Sequence, residues 1–252
     1  MKEASRSMFP GPELVTLNNP RSLITESYRV LRTNILYSSP DNPIRTLVVT
    51  SPLPGEGKTT TAGNLAVVMA QGGSRVLFVD LDLRRPNVHR LFGISNRVGL
   101  TNLLVEDRPL ESVVQKDSVG NLDILTTGPI PPNPAELVGS KKFAMFIQEM
   151  KTVYDYIILD TAPCVAYTDA VLAGRISDGV LLVLSATAGR MDAAIQAKKN
   201  FEKVGAKIIG VVLNGVNRSH LGYSSYYYYY YYYEDEQGKT VRKKKKRTHG
   251  RM

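Results

Sequence analysis

The chain has 252 residues, 43% hydrophobic and 22% charged, which suits one large domain with a real core. Its one cysteine, Cys164, excludes an internal disulfide framework, and with three histidines it leaves no basis for a zinc site. No apolar run reaches the roughly 18 residues of a membrane span, no secretory leader is expected, and +5 of the net +9 sits in residues 234–252, so the body at +4 is no nucleic-acid platform.

Residues 1–20 carry three prolines and little periodicity, and an irregular arm is expected there. In "SLITESYRVLRTNILYS", Ile24, Tyr28, Leu31 and Ile35 recur at helical spacing, which predicts a helix over 21–37 with one apolar face. Short apolar runs rich in β-branched residues follow: "RTLVVTS", "RVLFVD", "LDILTTG", "YIILD", "GVLLVLSA" and "KIIGVVLN". Helical patterns lie between most of them, such as Ala194, Ala197, Phe201 and Val204. Strands apolar throughout and alternating with helices predict an α/β fold, with a mainly parallel twisted sheet covered by helices on both faces. The domain is placed at 21–213. From 214 to 252 nothing promises a core, and a flexible, disordered tail with a basic "RKKKKR" end is expected.

Between the first strand and an apolar helix stands "SPLPGEGKTTT". A strand, a glycine-bearing loop and a helix opening with Lys-Thr form the context of a P-loop. Pro54, Gly55, Glu56, Gly57, Lys58, Thr59 and Thr60 are the expected nucleotide-binding residues. Gly55 and Gly57 let backbone N–H groups close round phosphate oxygens, and the helix N-terminus adds its dipole. Lys58 belongs on the β/γ-phosphates and the Thr59 hydroxyl on Mg²⁺. The strict pattern asks for glycine where this chain has Pro52.

"VLFVDLDLRRP" ends a strand in Asp80 and Asp82, and "YIILDTAP" ends another in Asp160. The C-terminal ends of parallel strands share the edge where the P-loop lies, so these carboxylates are expected round one Mg²⁺. Such a site takes a nucleoside triphosphate with Mg²⁺. Arg84 and Arg85 stand beside it, either on phosphates or as ordinary surface residues.

With these motifs the chain resembles the bacterial tyrosine kinases, P-loop proteins unrelated in fold to eukaryotic kinases. The resemblance spans nearly the whole chain. It rests on "SPLPGEGKTTT", "LFVDLDLRRP", "IILDTAP", the loop "GPIPPNPAELVGS" and a tyrosine row near the C-terminus, in the Gram-positive arrangement. It implies ATP and Mg²⁺ as cofactors, Asp82 as base and Mg²⁺ ligand with Lys58 and Asp80 as catalytic partners, and Asn214 on the adenine. Glu26, Arg29 and Arg32 match an E-x-x-R-x-x-R motif that closes a ring of subunits. The implied partners are a transmembrane modulator, a protein-tyrosine phosphatase and protein substrates, with no nucleic acid. The implied place is the cytoplasm, at the inner face of the membrane, and the implied role is control of capsule or exopolysaccharide synthesis.

The resemblance also gives the tyrosine row a use, as substrate on neighbouring copies. Tyr223, Tyr226, Tyr227, Tyr228, Tyr229, Tyr230, Tyr231, Tyr232 and Tyr233 are the expected phosphorylation sites. Tyr226 lies 12 residues after Asn214, and a flexible segment of that length reaches roughly 17–21 Å. The rival reading is a partitioning or division-site ATPase switch of the same lineage (ParA/MinD-like). Those proteins usually carry a second lysine where this chain has Leu53, and lack a tyrosine tail.

Overall fold

In the computed structural model, which describes residues 13–116 and 119–216, seven strands form one sheet. They are β1 (Thr46–Thr50), β2 (Val76–Leu81), β3 (Val114–Lys116), β4 (Leu122–Leu125), β5 (Tyr156–Thr161), β6 (Gly179–Ser185) and β7 (Ile208–Asn214), in the spatial order β3-β4-β2-β5-β1-β6-β7. All neighbours pair in parallel except β3 and β4. The chain divides into two units, Met1–Gly215 and Val216–Met252, and the sheet with its helices belongs to the first. The tyrosine row, the expected flexible tail and its basic end lie outside the described residues.

The helices are α1 (Val15–Asn18), α2 (Leu23–Tyr37), α3 (Lys58–Gln71), α4 (Val88–Phe92), α5 (Leu100–Glu106), α6 (Pro134–Val138), α7 (Lys141–Val153), α8 (Asp169–Arg175) and α9 (Met191–Glu202). Successive strand residues point to opposite faces, and the core divides accordingly. Leu47, Val49 and Phe78 join the layer of α1–α4, whereas Val48, Leu77 and Val79 join the layer of α5–α9. Central strands thus have two buried faces, which is why they read as unbroken apolar runs. α3 is buried almost all round because the sheet lies on one side of it and α1 and α2 on the other.

Four features differ from the expectations raised by the sequence. Residues 15–18, expected in an irregular arm, form α1, and buried Asn64 of α3 fixes it there. Asn64 Oδ1 accepts from the Thr16 N–H and hydroxyl at 3.0 and 2.8 Å, and its Nδ2 donates to the Glu13 carbonyl at 2.9 Å. The apolar face of α2 does not include Ile24, which is 56% exposed. Thr25 takes that place, fully buried, its hydroxyl donating to the carbonyls of Val15 and Asn19. Strand β3 was not expected: "VQK" carries no apolar run, and it pairs antiparallel at the sheet edge. Asn214, the end of the run "KIIGVVLN", is the last residue of β7, so the domain runs past the expected boundary at 213.

Candidate functional site

β1 ends at Thr50 and the loop 51–57 turns directly into α3. Gly55 and Gly57 have φ of +80° and +91°, in the left-handed region that glycine takes without strain. At Gly55 a side chain would meet open space, whereas at Gly57 a Cβ would fall 2.0 Å from Asn214 Nδ2. Gly57 caps α3 with no side-chain bond, so the first N–H groups of that 14-residue helix face the loop mouth. Pro54 and Gly55 are exposed, Thr60 is half-buried and Thr59 is 8% exposed. The Glu56 side chain, by contrast, is turned inward and 3% exposed.

The three aspartates come from neighbouring strands. Asp80 on β2 sits directly opposite Asp160 on β5. Asp82 follows two residues after Asp80, and its Oδ2 is 2.8 Å from Lys58 Nζ. Lys58 Nζ also stands 3.6 Å from Asp160 Oδ1 and donates to Thr59 Oγ1 at 3.3 Å. Burial opposes the charge on Lys58, but Asp160 and Asp82 outweigh it and hold the ammonium above its ordinary pKa. Burial, reinforced by the charge of Asp160, pushes Asp80 up to about 8. Burial raises Asp160 as well, with Lys58 pulling the other way.

The carboxylates share one sheet edge without forming a ready metal cage. Asp80 accepts from the N–H groups of Asn87 and Val88 at 3.1 and 3.0 Å, and Asp82 accepts from Arg85 N–H at 3.0 Å. Among the described residues no three Asp, Glu, His or Cys side chains converge to hold an ion by themselves. Asp160 is fully buried and both its oxygens lack a hydrogen-bond partner. Lys58 at 3.6 Å sets a positive charge against Asp160 without closing a hydrogen bond to it, so a further cation or donor would stabilise that buried carboxylate. Together with the open space at Gly55, this fits Mg²⁺ and the phosphates of a nucleotide.

The two arginines part ways. Arg84 makes a two-pronged bond to buried Asp169 (2.7 and 3.1 Å), and its guanidinium lies 4.2 Å from the Tyr167 ring centre. Arg85 is exposed, with no ion pair among the described residues. Asp169 and Tyr167 escaped the sequence reading because 85 and 83 positions separate them from Arg84. A carboxylate opening the helix after "IILDTAP" was the available signal for Asp169. Asn214 donates to the Glu56 carbonyl at 3.1 Å, which places it against the loop.

The expected ring residues lie elsewhere, on α2. Glu26 and Arg29 pair at 2.9 Å, Arg29 also donates to the Pro20 carbonyl, and Arg32 donates to the Val68 carbonyl of α3 at 2.8 Å. No helix among the described residues is long and apolar enough to cross a membrane.

Residues 45–208 match the family model of an AAA domain. The chain is similar to tyrosine-protein kinase YwqD of Bacillus subtilis (strain 168), 43% identical over 84% of this chain and 90% of that one. It is also similar to the putative tyrosine-protein kinase CapB of Staphylococcus aureus, 38% identical over 78% of this chain and 86% of that one. Among solved structures, the chimerical protein CapA2B2 superposes with a TM-score of 0.78 at 38% identity, covering 81% of this chain and 90% of that chain.

Proposed function

The chain belongs to the bacterial tyrosine-protein kinases of the Gram-positive type, and from that premise we propose that it uses ATP with Mg²⁺ to phosphorylate the C-terminal tyrosines of neighbouring copies. The observation that carries this reading is the cluster at the loop mouth. Lys58 is held 2.8 Å from Asp82, beside an Asp160 whose oxygens have no hydrogen-bond partner. This is a nucleotide site that also contains a carboxylate able to take a proton.

Lys58, Thr59, Asn214 and the N–H groups of residues 54–60 hold the nucleotide in this reading. Thr59, Asp80, Asp82 and Asp160 would hold Mg²⁺. Bound Mg-ATP supplies the phosphoryl group, with its charge partly neutralised. Lys58 exchanges Asp82 for phosphate oxygens, which frees Asp82 Oδ2. Asp82 then accepts the phenolic proton as the tyrosine oxygen bonds to the γ-phosphorus. The bond from that phosphorus to the bridging oxygen breaks, and ADP leaves with its electron pair.

A transmembrane modulator activates the protein at the inner face of the membrane, and a phosphatase resets it. Glu26, Arg29 and Arg32 close the ring between subunits. The output is control of capsule or exopolysaccharide synthesis. The ATPase-switch alternative has less behind it, since the close relatives are named kinases and Leu53 stands where such switches carry lysine.

The test mixes Lys58→Met protein, tail intact, with active chain cut after Gly222, in the presence of ATP, Mg²⁺ and the modulator's cytoplasmic segment. Phosphotyrosine is expected on the inactive subunit's tail. An unlabelled tail in a mixed oligomer shown to form overturns transfer between subunits. No phosphotyrosine on the uncut wild type under the same conditions overturns the kinase reading itself.

A further inference from the structure

A carboxylate inside a loop that receives a polyanion is electrostatically the wrong sign. Glu56 occupies that position between the two left-handed glycines and is 3% exposed. No cation pairs with it among the described residues; both its oxygens are spent on backbone instead. Oε2 accepts from Leu53 N–H at 2.8 Å, within the loop, and Oε1 accepts from Ser185 N–H at 3.3 Å, at the end of β6. The Glu56 carbonyl accepts from Asn214 Nδ2 at 3.1 Å, and the Asn214 carbonyl accepts from Ala186 N–H at 2.8 Å. One residue thereby joins three segments that the sheet brings to the same edge: the loop 51–57, the end of β6 and the end of β7.

We infer that Glu56 is a positioning residue, whose carboxylate holds the phosphate loop in its binding shape by bridging Leu53 within the loop to Ser185 at the end of β6. The inference rests on the nucleotide-binding part of the proposed function, not on tyrosine as acceptor. Its physical basis is preorganisation. A loop already fixed with its N–H groups toward the ligand loses little further freedom on binding.

The chemistry requires a carboxylate in particular. Two N–H donors approach from different segments, and only a carboxylate offers each its own oxygen on one short stem. Glutamine keeps the shape but turns an NH₂ donor toward one of the two N–H groups. Alanine removes both acceptors and leaves two N–H groups facing a cavity.

The experiment uses the full chain as wild type, Glu56→Gln and Glu56→Ala. A fluorescent ADP analogue with Mg²⁺ is titrated by anisotropy, beside thermal unfolding without nucleotide and ATP-dependent tyrosine phosphorylation. Because the loop must then be ordered on binding, nucleotide Kd is expected to rise about tenfold in Glu56→Gln and further in Glu56→Ala. In phosphorylation the larger loss falls on KM for ATP and the smaller on kcat. Unchanged Kd in Glu56→Gln overturns the inference. So does a large fall in unfolding temperature with the folded fraction still binding at wild-type affinity, which would make Glu56 merely structural. If the wild type transfers nothing to tyrosine yet the three affinities fall in the expected order, the kinase reading fails and this one stands.

Discussion

Lys58 and Asp82 face each other across the mouth of the phosphate loop at 2.8 Å, and neither reaches its proposed working partner while that pair persists. In the proposed mechanism the lysine moves to phosphate and the aspartate takes the proton of a phenol. On that proposal the ion pair is a resting arrangement that ligand entry breaks, with the lysine's departure preparing the base.

Removing either partner should separate these roles. Lys58→Met is expected to lose tyrosine phosphorylation and weaken nucleotide binding, since it deletes the cation at the phosphates. Asp82→Asn is expected to retain nucleotide binding while transfer falls by about 10²–10⁴, the usual contribution of a positioned base. Nucleotide titration and phosphotyrosine formation on each variant read this out. A wild-type transfer rate in Asp82→Asn would remove Asp82 from the reaction.

Arg84 is a structural clamp, and its loss should show in stability. Arg84→Ala leaves Asp169, fully buried, without its guanidinium. Breaking such a pair from one side costs about 3–5 kcal/mol when both partners are buried, and the partial exposure of Arg84 lowers the expectation to roughly 2 kcal/mol. Urea unfolding measures it. A change under about 0.5 kcal/mol, the level of an ordinary surface substitution, would make the contact incidental.

Cys164 should be inert in the folded protein. Burial pushes its thiol up to about 12, with the nearby Glu56 carboxylate adding to the effect. Only the thiolate reacts, and each pKa unit above the assay pH lowers its fraction about tenfold. Labelling by a disulfide reagent at pH 8 is expected to be about a thousandfold slower in buffer than in urea, and to accelerate as pH rises. Fast labelling of the native protein would contradict the buried placement.

Phosphorylation should alter assembly. Each phosphotyrosine adds about −1.5 to −2, so eight add roughly −12 to −16, against +5 on residues 234–252. Light scattering on dephosphorylated and fully phosphorylated protein is expected to show a smaller oligomer after phosphorylation. High salt should weaken the difference, because screening acts over about 8 Å at physiological strength. An unchanged mass in both salts would leave the tyrosines as substrate only.

The sheet was legible in the sequence because its central strands are buried on both faces and cannot hide their apolar runs. The edge strand β3 was not, since an edge needs no such run and "VQK" reads as loop. On α2, periodicity pointed to Ile24, but a threonine able to cap two carbonyls fills the buried position instead. Motif spacing led to Lys58, Asp80, Asp82 and Asp160. It could not reveal that Arg84 answers to Asp169 or that Glu56 reaches Ser185, because those partnerships join residues brought together only by the crossovers.

The contact between Gly57 and Asn214 has a practical consequence for anyone wishing to silence the substrate without harming the enzyme. The two residues are 157 positions apart, yet a methyl group on the first would collide with the amide of the second at 2.0 Å. A shortened version ending before Asn214 therefore loses the tyrosines and the side chain bonded to the Glu56 carbonyl of the loop together, and its inactivity would be uninterpretable. The dissection point has to lie downstream, at Gly215 or beyond. A loss of transfer with nucleotide affinity intact can then be assigned to the missing acceptors alone.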